Sequence, residues 1–72
     1  MQYKVGDIFR NPDNSYFIIY EIVKPWPGIP GGYHVNHISN LSIAENSKLF
    51  PENVWNNRIE NSQLIYIRNI FE

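Results

Sequence analysis

Tyr16-Phe17-Ile18-Ile19-Tyr20-Glu21-Ile22-Val23 decides the fold of this chain. Seven of the eight residues are β-branched aliphatic or aromatic, the types that fit a pleated, packed surface. The stretch therefore predicts a strand. Its two faces carry Tyr16, Ile18, Tyr20 and Ile22 on one side and Phe17, Ile19, Glu21 and Val23 on the other. A strand with one wet face alternates apolar and polar residues, and this one scarcely does. It is expected in the middle of a small sheet, or covered on both sides.

The flanking segments read as material that pairs with it. Upstream, Val5-Gly6-Asp7-Ile8-Phe9 suits a turn or bulge entering a first strand near Val5–Arg10. Asn11-Pro12-Asp13-Asn14-Ser15 is a turn cluster that joins the two strands as a hairpin. Downstream, Lys24 to Gly32 holds three prolines and three glycines in nine residues, which excludes helix and central strand. Tyr33 to Ile38 resumes a strand, with Tyr33, Val35 and His37 on one face.

Leu41 to Phe50 supports two readings. Ser42-Ile43-Ala44-Glu45 matches a capping box, whereas Leu41-Ser42-Ile43 alternates as a strand does; the β surroundings favour the strand. Pro51 can open a helical turn over residues 51–58, which three Asn keep short. Glu60-Asn61-Ser62 is a turn, and Gln63 to Phe71 gives the last strand.

The fold class is mainly β, one domain over residues 1–72. Four to five short strands form a small, strongly bent antiparallel sheet or an SH3-like barrel. The opening Val5-Gly6-Asp7 segment, the long hairpin and the closing Leu64-Ile65-Tyr66-Ile67 strand resemble small SH3-like barrels of short phage and bacterial proteins. That resemblance implies a fold that hosts many binding roles.

Composition narrows the function. Seventy-two residues bury only roughly 60% of the unfolded surface, so such a domain needs a dense core or a partner. There is no cysteine to supply disulfides or thiolate ligands. A net charge of −1 with six scattered basic residues is unlike the basic face that nucleic-acid binding requires. Met1-Gln2-Tyr3-Lys4 is unlike a secretory leader and no stretch reaches membrane-spanning length, so a cytoplasmic protein with no membrane partner is expected. On that reading the sequon Asn40-Leu41-Ser42 arises by chance. Ten Asn and eleven Ile are encoded by A/T-rich codons, which with the small size points to a phage or mobile-element origin.

No catalytic constellation is legible. His34 and His37 point to opposite faces of a strand and hold no converging metal ligands. The serines sit where turns and caps use them. Glu21 stands inside an apolar strand, where it must be paired, edge-exposed or shifted in pKa; a cross-strand bridge to Lys or Arg is expected. The functional signal is aromatic: Trp26 between two prolines, Tyr33 after the loop, and Trp55 in the other irregular segment. Trp26 is either a contact or a lid over the core.

The expectation is a non-enzymatic binding protein with no cofactor, acting on a protein partner (a host protein or a second copy of itself) as an inhibitor. Trp26, Tyr33, Trp55, Glu21 and Arg58 are its candidate contacts. The alternative is an oligomer that sequesters a nucleotide-like ligand, with aromatics stacking a base and Arg58, Arg68 or Lys24 meeting phosphate. A nucleic-acid-binding barrel is the third reading.

Overall fold

A computed structural model describes residues 2–39 and 43–72. Five strands, β1 (Asp7–Arg10), β2 (Tyr16–Val23), β3 (Gly32–Ile38), β4 (Ile43–Pro51) and β5 (Ile65–Asn69), form one antiparallel sheet with a helix, α1 (Glu52–Glu60), between β4 and β5. The strand order is β4-β3-β2-β1-β5. The stretch that decides the fold is thus the middle strand, over the expected residues. β4 settles the ambiguity after residue 42 in favour of a strand. Asn40-Leu41-Ser42, which holds the sequon and the start of the capping-box match, lies outside the described residues.

Of the two expected forms, the sheet is the open one: β4 and β5 stand at its edges and do not close a barrel. The physical reason lies in α1. It is nine residues long rather than a turn over 51–58, and it lays Trp55 on the inner face. A helix therefore covers the core where β4–β5 pairing would have closed it. Pro51 caps α1 with ψ 147° instead of occupying its first turn. Glu52 sits at the positive end of the helix and Arg58 near its negative end, the favourable polarity for both.

The core is aromatic. Phe9, Phe17, Ile19, Tyr33, Val35, Trp55 and Leu64 are buried, and Tyr3, Ile22, Phe50 and Ile59 pack against them. The Trp55 ring centre lies 5.0 Å from that of Phe9, 5.4 Å from Phe50, 5.6 Å from Tyr33 and 6.1 Å from Phe17. Its Nε1 is buried with no hydrogen-bond acceptor, a cost of order 1–3 kcal/mol that the ring packing has to offset.

Buried polar groups fasten the two chain ends. Asn69 donates from Nδ2 to Asp7 Oδ1 at 2.8 Å and to the Val5 carbonyl at 3.0 Å. The Lys4 amide donates to Asp7 Oδ2 at 3.0 Å, and the Phe71 amide to Asn69 Oδ1 at 2.8 Å. Gly6, with φ +93°, lies under the Phe71 ring, where an added Cβ would come within 2.5 Å of Cδ2. In the β1–β2 turn, the Ser15 hydroxyl and amide both donate to Asp13 Oδ1, holding its carboxyl below the usual range.

Truncation of Trp55 to Ala should cost about 3–5 kcal/mol, enough to unfold a domain of this size, whereas Trp55→Phe, which also removes the orphaned N–H, should be milder. Thermal denaturation of the two variants checks this order. Gly32→Ala should also destabilise, by about 1–3 kcal/mol, because its Cβ would lie 2.2 Å from the Phe50 carbonyl oxygen where β3 meets β4; urea titration reads the shift.

Candidate functional site

The loop between β2 and β3 is built to hold one side chain out. Trp26 and Ile29 exchange both backbone hydrogen bonds, each at 2.9 Å. Pro27 supplies the fixed φ of the first corner position and Gly28, at φ +81°, the second, which is a type II turn. Pro25 and Pro30 stiffen the arms. The Glu52 amide donates to the Gly31 carbonyl at 2.9 Å, tying the base of the loop to the start of α1. At the tip, Trp26 is 68% exposed and Ile29 57%. Trp26 is therefore not a lid over the core.

Tyr33 and Trp55 occupy different positions from Trp26. Both are fully buried, because β3 and α1 turn them onto the inner face. Neither ring is presented to a partner in this state. Tyr33 instead accepts a hydrogen bond at its hydroxyl from the Tyr3 amide at 3.4 Å, and burial raises its pKa above the usual phenol range. Arg58 is exposed and places its guanidinium carbon 4.9 Å from the Phe50 ring centre, a cation–π contact at the edge of the core.

Glu21 shows a device that alternation alone does not reveal. In the β2–β3 register Ile19 faces Val35 but Glu21 faces His34, so a bulge at Tyr20 shifts the pairing by one. Phe17, Ile19 and Ile22 therefore look inward, while Ile18, Tyr20 and Glu21 share the outer face. The carboxylate that strict alternation would have sent into the core is exposed. Its partner is His34, not Lys or Arg: Oε1 lies 2.5 Å from Nδ1. Tyr20 stacks on the same imidazole, ring centres 5.6 Å apart and planes 8° apart. His37, on the opposite face, lies beside Phe17.

Two open clefts border these elements. One, of about 390 Å³, is lined by Pro25, Pro30, Gly31, Glu52 and Asn53. The other, of about 330 Å³, lies where Lys4 meets Glu72 and is lined also by Gln2, Tyr3, Asp7 and Tyr66. Neither is lined by Lys24, Arg58 or Arg68. Among the described residues no three His, Asp or Glu side chains converge on a point, and no helix is long and apolar enough to cross a membrane.

Comparison of the chain with protein-family models, with characterised proteins and with solved structures gives no match.

Ile29 was not singled out from sequence, although its place opposite Trp26 in a four-residue Pro-Gly turn was a readable signal. The Tyr20–His34 stack depends on the bulge and leaves no mark in the sequence pattern.

The raised Tyr33 pKa has a pH consequence. The folded state keeps the phenolic proton longer than the unfolded state does, so the stability this supplies is complete below about pH 10 and falls as pH climbs beyond it. Chemical denaturation from pH 8 to 11 should show this decline, and Tyr33→Phe should flatten it.

Proposed function

We propose that this chain is a non-enzymatic binding protein that occupies a partner protein through the Trp26–Ile29 turn. The observation that supports it is the exposure of Trp26 on a turn fixed by two backbone hydrogen bonds and bracketed by prolines. An exposed indole leaves apolar surface in water, and the stiff loop has already lost the conformational freedom that binding would otherwise remove. Trp is the residue type most favoured at the energetic centre of interfaces. Glu21 and Arg58 are exposed and available as rim contacts. On the mobile-element reading of the composition, the partner is a host protein and the effect is inhibition.

Trp26→Ala combined with Ile29→Ala should abolish the complex seen by native mass spectrometry of protein purified gently from its natural host. The melting transition should hold, because both side chains are exposed and the change costs within about 0.5 kcal/mol. A complex that survives the double substitution removes the loop as the contact.

A further inference from the structure

Trp26 and Ile29 use their amides and carbonyls on each other, so the tip of the loop meets a partner mainly through apolar side chains. Contact of that kind gives affinity but little choice of partner, which comes from polar and charged groups. The charged group beside the tip is Glu52. Its amide bonds the Gly31 carbonyl at 2.9 Å, which sets the start of α1 against the base of the loop. Pro25, Pro30, Gly31, Glu52 and Asn53 line an open cleft of about 390 Å³ there. Pro25 and Pro30 are the chain neighbours of Trp26 and Ile29, so tip and cleft form one continuous surface. Glu52 is the one charged residue in the lining. Among the described residues the ion pairs are Lys4–Glu72 and Glu21–His34, and Glu52 enters neither.

We infer that this cleft receives an arginine side chain of the partner protein, whose guanidinium meets the Glu52 carboxylate while Trp26 and Ile29 enter the partner. The inference rests on the reading of the Trp26–Ile29 turn as the contact. Charge sets the sign of the occupant. The N-terminus of α1 contributes about half a positive charge and the carboxylate a full negative one, so the cleft keeps a net negative charge. A phosphate or carboxylate would meet Glu52 with no cation to balance it, because no Lys or Arg lines the cleft.

Shape favours a side chain over a free molecule. Small-ligand sites of roughly 300–1,000 Å³ bury about 70–90% of what they hold, and an open cleft at the lower end of that range leaves a free molecule largely in water. A side chain carried on a docked protein is held in place by the rest of the interface. The lining then separates arginine from lysine. Pro25 and Pro30 offer apolar walls to a long alkyl stem. Glu52 and Asn53 offer acceptors to a planar fork of donors, whereas a lysine ammonium is a more strongly hydrated point charge and loses more on leaving water.

NMR titration of the full chain with N-acetylarginine amide, against its neutral citrulline counterpart, tests the cleft by itself. The arginine compound should shift the Glu52 and Asn53 amide signals saturably and bind about threefold or more tightly than the citrulline compound. Glu52→Gln should remove that difference. Glu60→Gln, which deletes the same charge at the other end of α1, should leave it. In the complex isolated from the natural host, Glu52→Lys should weaken binding at least about tenfold in a chain that thermal denaturation shows to be folded. Equal binding of the two compounds, or a preference that survives Glu52→Gln, would overturn the inference and leave the loop contact standing. A complex lost with Trp26→Ala and Ile29→Ala but indifferent to Glu52→Lys would do the same. An arginine preference that depends on Glu52, beside a complex that survives the loss of Trp26 and Ile29, would keep the cleft and overturn the loop reading instead.

Discussion

Four of the five strands meet at Trp55. Trp55 is the one fully buried residue of the helix that carries it, with Ile59 packing beside it and the Glu52 amide bonded to Gly31. That ring touches Phe9 from β1, Phe17 from β2, Tyr33 from β3 and Phe50 from β4. A chain without cysteine gains its core by clustering rings, each of which removes about 150–250 Å² from water. The constraint works backwards as well. Because rings must converge from four strands, the strands cannot slip: a one-residue shift in any register would move its aromatic to the wrong face.

Much of this was written in the sequence. The strand Tyr16–Val23, its hairpin partner, the proline-rich loop and the strand after it declare themselves through β-branched and aromatic runs set off by Pro, Gly and Asn. What could not be read is where the alternation breaks. The bulge at Tyr20 reverses the parity of one strand, moving Ile22 inward and Glu21 outward, and no residue type announces it. The helix was underestimated for a related reason. Three Asn are poor helix formers, yet tertiary packing of Trp55 and the main-chain bond from Glu52 to Gly31 outweigh an unfavourable propensity of a few tenths of a kcal/mol per residue.

The site divides along the same line. Local chemistry marks Trp26, since Pro27 and Gly28 fix a turn whatever the rest of the chain does, and that turn leaves its indole exposed. Tyr33 and Trp55 look equivalent to it as letters, being aromatic and close to irregular segments. Their burial is a property of the sheet's curvature and of the helix that covers it, which become visible only when the elements are assembled. Glu21 is the intermediate case: the need for a partner is legible, but its identity as His34 depends on the register.

The pairing of β1 with β5 has a bearing on how the domain comes into being. Asp7 and Asn69, hydrogen-bonded in the native state, are 62 residues apart in the chain. The hairpin of β1 and β2 and the β2–β3 pair can form from neighbouring segments, but the outer edge of β1 stays open until β5 is in place. Contacts of such long sequence separation slow folding, because loop closure precedes any gain from them. During synthesis the chain therefore exposes an unpaired β1 edge until β5 has been made. β5 acts as the latch that closes a nearly finished sheet, so loss of that strand leaves not a smaller domain but an open one.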